Sequence, residues 1–139
     1  MSKHPYNITR PQRQGISIAK QPGWLACAKR VYRRYKDGDL TLDNFIELAQ
    51  KPCYYCGTPP SNKFNPYLKG DGTVRSDQRV TPQRVAETWW VYNGLDRQDN
   101  NLPHTKANCV PCCRVCNLMK RNMSSAEFKD QCRKVTSHE

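Results

Sequence analysis

The sequence predicts a small α+β domain stapled by a four-cysteine zinc site. Three observations carry this. Segments with helical periodicity alternate with short stretches of strand composition. Two Cys-x-x-Cys pairs stand about 60 residues apart, Cys53/Cys56 and Cys113/Cys116. The 139-residue chain is only 37% hydrophobic. A chain this short buries roughly two-thirds of the surface it exposes when unfolded, so its core is thin and a staple is required.

The elements follow in chain order. Residues 1–21 are rich in Pro, Gln, Arg and Ser and lack apolar periodicity, which predicts a flexible basic N-terminal arm. The zinc-stapled domain then spans 22–139. Trp24, Ala28, Val31, Tyr32 and Tyr35 recur at helical spacing, so a helix is predicted over 23–36. Asp37-Gly38-Asp39 is a turn. Thr41 caps a second helix carrying Leu42, Phe45, Ile46 and Ala49 on one face, and Pro52 stops it. The stretch 58–84, with four prolines, reads as an insertion. Gly70-Asp71-Gly72 could turn a hairpin there between Phe64–Lys69 and Thr73–Arg75. Residues 89–95 have strand composition. Cys109–Cys112 can form a second strand, and Pro111 restricts it to an edge. A helix is predicted from Asn117 to about Arg121. Ser124 with Glu127 makes a capping box for a last helix, whose buried stripe is Phe128, Cys132 and Val135.

The cysteines also indicate the compartment. No apolar stretch follows Met1 and residues 1–15 are polar and basic, so no secretory leader is expected. No run is long and apolar enough to span a membrane. An intracellular chain with eight cysteines points to metal before disulfides. Each Cys-x-x-Cys turn aims two thiolates at one ion, and two such turns complete a closed tetrahedral site with no place for substrate. Cys109/Cys112 is a competing pair. Cys113/Cys116 is preferred because that knuckle lies directly before a helix. Cys27 and Cys132, on apolar helix faces, are expected to be buried thiols.

The net charge of +11 favours a polyanionic partner. Residues 1–36 hold nine Lys and Arg and no Asp or Glu, so nothing there repels phosphate. Arg30, Arg33 and Arg34 on the first helix are candidate nucleic-acid contacts. A solvated basic surface is the bland alternative.

One stretch carries candidate chemistry. It runs Asn93-Gly94-Leu95-Asp96-Arg97-Gln98-Asp99-Asn100, then His104, then Asn108-Cys-Val-Pro-Cys-Cys-Arg-Val-Cys-Asn117-Leu-Met-Lys120. It resembles the HNH, or ββα-metal, endonucleases, in particular a phage-type branch with Asp-Arg-x-Asp-Asn and Cys-x-x-Cys-Asn motifs. The likeness covers roughly 24–135 apart from 58–84, and it is strongest over 93–120. It implies a treble-clef-like ββα core with flanking helices. It also implies Mg²⁺- or Mn²⁺-dependent hydrolysis of double-stranded DNA, with homing-type phage enzymes as the nearest parallel. On this resemblance Asp96 and Asn117 hold the divalent ion through hard oxygen donors. Asn108 orients the loop and the base. Lys106, Lys120 and Arg121 contact phosphates.

The chain departs from the commoner pattern at Arg97, where a histidine would follow the metal-binding Asp as general base. Arginine cannot take a proton near neutral pH, but it can clamp a phosphate and stabilise its growing charge. His104, Asp99 or water activated at the metal are left to act as base. Two further readings follow from Arg97: a degenerate module that binds nucleic acid without cutting it, or a structural subunit of a nucleoprotein assembly.

Overall fold

The computed structural model describes residues 22–75 and 79–138. The expected arm, 1–21, lies outside the described residues. Helix α1 spans Trp24–Tyr32 and tightens into a 3₁₀ turn at Arg33–Tyr35. Cys27, Ala28 and Val31 are its buried face, and Trp24, Tyr32 and Tyr35 pack at the margin of the same core. Gly23 enters the helix with φ 74°, and a Cβ there would stand 2.8 Å from the Thr88 methyl, so both backbone and space favour glycine.

Helix α2, Leu42–Ala49, starts where Thr41 Oγ1 accepts the Asn44 amide at 3.1 Å. It buries Phe45 and Ala49. The Phe45 ring lies 5.1 Å from Tyr35, 5.7 Å from Tyr32 and 5.7 Å from Trp90. These contacts join α1 and α2 into the larger of the two main core clusters.

The expected strand over 89–95 is two strands serving two sheets. Strand β1, Asn62–Phe64, pairs antiparallel with β2, Trp90–Tyr92. Strand β3, Gly94–Arg97, pairs antiparallel with β4, Cys109–Cys112, so that Asp96 faces Val110 and Arg97 faces Cys109. Buried Asn93 makes the break. Its amide N–H donates to Ala49 O at 2.8 Å, and its side chain donates to the carbonyls of Lys51 (2.9 Å) and Thr58 (3.1 Å). Backbone groups that would continue one ladder are spent on the end of α2 and the first cysteine knuckle.

The expected hairpin in 58–84 is short: beside the bridge of Leu68 with Val74, the Lys69 amide donates to Thr73 O at 2.8 Å and the Arg75 amide to Tyr67 O at 2.9 Å, while Phe64 pairs with β2 instead. A helix not foreseen there, α3 at Pro82–Glu87, has Thr81 as N-cap and proline in its first turn. That pairing is a local start signal.

Helix α4 runs Arg114–Lys120, starting three residues before the expected Asn117. Cys113 is its N-cap. Helix α5, Ser125–Ser137, has the expected capping box, Ser124 with Glu127. Its buried stripe is shorter than expected: Phe128 is buried, Cys132 is half-buried and Val135 is exposed. No helix among the described residues is long and apolar enough to cross a membrane.

Candidate metal centre and the Asp96 cluster

The second core cluster is built on sulfur. Cys53, Cys112, Cys113, Cys116 and Phe128 are buried together, with Tyr55, Met123 and Cys132 against them. The Sγ atoms of Cys53, Cys56, Cys113 and Cys116 all lie within 4.8 Å of one another, and Cys56 and Cys113 are 3.6 Å apart. Four thiolates around one zinc ion, each about 2.3 Å from it, would sit roughly 3.8 Å apart. The donor set and spacing therefore fit a four-cysteine structural metal such as zinc. Cys113 and Cys116, not Cys109 and Cys112, are the pair brought to Cys53 and Cys56: Cys109 belongs to the other core cluster, and Cys112 packs in this one without joining the quartet.

The thiols differ in acidity. Burial pushes Cys113 and Cys116 up from the ordinary value. Burial also raises Cys56, but hydrogen bonds from Thr58 and the neighbouring thiols outweigh it and leave it at about 7. Thr58 Oγ1 lies 3.0 Å from its sulfur.

Both arms of this centre reach Asp96. Tyr55 stands between Cys53 and Cys56, and its hydroxyl donates to Asp96 Oδ2 at 2.6 Å. Burial, and then this bond, raise the Tyr55 pKa. Lys120 is four residues past Cys116 on α4. Its Nζ is 3.1 Å from Asp96 Oδ1 and donates to Arg97 O at 3.2 Å. Asp96 is 6% exposed and Lys120 is 0% exposed. The expectation that Lys120 is a surface phosphate contact is therefore corrected: its ammonium is spent inside, on the carboxylate at the end of β3.

The other expected residues divide into two groups. Asn117 is exposed in the second turn of α4, where it is no N-cap. Asparagine adds nothing to a helix interior, so a purely local reason for it is removed. It precedes Lys120 by three positions, which makes them neighbours on one helix surface. Asn108 is buried and braces the loop after β3. Its Oδ1 accepts the Asp99 amide at 3.0 Å, and its Nδ2 donates to the carbonyls of Asp99, Leu102 and Pro103. The Asn100 side chain ties the same loop to the carbonyls of Asn122 and Met123.

Arg97 Nη1 donates to Leu102 O at 3.3 Å. His104 is not brought to Asp96 by any contact. Its Nδ1 pairs with Asp37 Oδ1 at 2.6 Å, and its ring meets Tyr35 edge-on at 5.1 Å. That hydrogen bond holds the Asp37 carboxyl below its ordinary value. Asp37 thus orients the His104 ring through Nδ1, and no contact joins it to Asp96. Lys106, Arg121, Arg30, Arg33 and Arg34 are exposed. No carboxylate pairs with Arg30, Arg33 or Arg34 among the described residues.

Sequence reasoning missed Tyr55 and the buried role of Lys120. A tyrosine between two cysteines carries no signal of the carboxylate it will meet, and a lysine near a helix end reads as a phosphate or solvent contact.

The chain is 24% identical over 136 residues to a protein of Acanthamoeba polyphaga mimivirus that is itself described as uncharacterized. The likeness covers 92% of this chain and 20% of that protein, so the chain spans about a fifth of its relative's length. No family model matches, and no solved structure matches.

Proposed function

We propose that this protein is a metal-dependent endonuclease acting on double-stranded DNA, with an HNH-like ββα element formed by β3, β4 and α4. The observation that carries the reading is the meeting of Asp96, at the end of β3, with Lys120 of α4, the helix that also bears Asn117. A divalent ion such as Mg²⁺ or Mn²⁺, when bound, would polarise the phosphate and stabilise the leaving oxygen.

The chain's own residues would do the rest. Asp96 and Asn117 would hold the ion through oxygen. Tyr55 keeps the Asp96 carboxylate in one orientation. Asn108 braces the loop that starts at Gln98. Arg97, just before that loop, would clamp the scissile phosphate. Arg30, Arg33, Arg34, Lys106 and Arg121 would track the backbone, a contact that positions without reading sequence. The base would be His104, oriented by Asp37 through Nδ1, or Asp99, or water at the metal. The viral relative is in keeping with a viral source and action inside a host cell.

A second reading has its own support. Both Asp96 oxygens are already engaged, and Arg97 stands where the resemblance has histidine. A module that binds nucleic acid without cutting it would look like this.

Nicking of supercoiled plasmid separates the two. The natural chain, Asp96→Asn and Asn117→Ala are compared at equal zinc content without added divalent ion and with Mg²⁺ or Mn²⁺. Nicking that needs the ion and is lost in both variants is the expected result. Salt-sensitive DNA binding with no cleavage in any ion leaves the binding module.

A further inference from the structure

Lys120 is the one fully buried cation among the described residues. Buried ammonium groups are expensive to desolvate, and buried ion pairs are often replaceable by apolar residues without loss of stability. A thin core is a poor place for one. Its surroundings explain its presence chemically. Nζ sits against two hard oxygens, the Asp96 carboxylate at 3.1 Å and the Arg97 carbonyl at 3.2 Å. Such oxygens are the donors a divalent cation takes.

We propose that the Lys120 ammonium is the resident cation of the Asp96 site, and that a divalent ion binds only by displacing it. This rests on the reading of Asp96 as a metal ligand. The reason is electrostatic. A divalent ion on Asp96 would lie within a few ångströms of the ammonium in a water-poor site, where like charges repel strongly. Asp96 cannot serve both. Lysine has a flexible four-carbon stem, and the turn of α4 before it, Asn117 to Met119, is exposed. Asp96 keeps its orientation meanwhile, because Oδ2 is held separately by Tyr55. Tyr55 is fixed in turn by the first knuckle and by the Phe128 ring at 5.1 Å. The exchange replaces one charge by two at a single seat. The empty-handed protein stays closed and neutral there.

Mn²⁺ alone, without DNA, tests this through the electron paramagnetic resonance signal of the free ion. The full zinc-loaded chain is compared with Lys120→Met and with Asp96→Asn/Lys120→Met. Lys120→Met is expected to bind Mn²⁺ more than about tenfold tighter than the natural chain, within the usual range of coupling between sites. The double variant is expected to lose this binding.

Equal Asp96-dependent affinity in the natural chain and Lys120→Met overturns the proposal. Binding by neither overturns it together with Asp96 as ligand, and plasmid nicking reports separately whether the nuclease reading survives. A second arm needs no variant. Amine acylation of the zinc-loaded natural chain, mapped by mass spectrometry, should find Lys120 shielded without added Mn²⁺ and modified in saturating Mn²⁺. Lys120 shielded in both, with Mn²⁺ bound, overturns the exchange.

Discussion

The Asp96 carboxylate has each of its oxygens held by a different element. Its position at the end of β3 follows from local sequence, yet its partners come from residues 55 and 120. Removing the carboxylate strands a buried ammonium, which costs about 3–5 kcal/mol. Asp96→Ala is therefore expected to lower the urea midpoint by that equivalent, whereas Asp96→Asn, which can keep its carbonyl oxygen on Lys120 and turn its amide N–H to the Tyr55 oxygen, loses less. Equal losses in the two variants would mean that Lys120 finds another partner. The same argument makes Asp96→Asn the sounder control for cleavage, since lost activity in Asp96→Ala could reflect lost fold.

At the scale of elements, α1 is two-sided. Cys27, Ala28 and Val31 are buried, while Lys29, Arg30, Arg33 and Arg34 are exposed on α1 and the turn that ends it. If this side lies along DNA phosphates, each contact contributes about one unit to the slope of log affinity against log salt. Arg33→Gln/Arg34→Gln is expected to reduce that slope by about two in fluorescence anisotropy with a duplex, leaving the urea midpoint unchanged. An unchanged slope would move the footprint elsewhere.

Elements with local signals were legible. Thr41 capping α2 and the Ser124/Glu127 box starting α5 depend on residues three apart. The break between β2 and β3 was not, because it depends on Asn93 reaching carbonyls at Lys51 and Thr58. Helix α3 had its Thr-Pro signal but was lost in a proline-rich stretch.

Across the whole molecule, the four-cysteine centre joins the end of α2 to the start of α4, and the Tyr55–Phe128 contact carries it to α5. Chelation of the metal is expected to abolish the near-ultraviolet circular dichroism, because such a site supplies folding energy directly. Retention of that signal would show that the apolar clusters suffice.

The pH dependence has two signs. Thiols give up protons to bind metal, and burial raises Cys113 and Cys116, so metal affinity rises with pH and acid releases the ion. At the alkaline end, burial lifts Cys27 and Cys109 from 9.0 to about 11. A pKa raised on folding gives a contribution complete below about 9 and lost as pH rises through about 11. Urea midpoints are expected to fall over that window, and less steeply in Cys27→Ala than in the natural chain.

The sequence by itself determined the cysteine quartet, the caps of α2 and α5, the edge strand at Cys109–Cys112 and the excess of positive charge. Each is set by spacing or by neighbours along the chain. Only the tertiary structure decided that Lys120 is an internal cation, that Tyr55 holds Asp96, that His104 belongs to Asp37 and that one strand segment serves two sheets. Those outcomes depend on partners between 12 and 67 residues away, brought together when burial of apolar surface and the joining of the two knuckles fold the chain back on itself.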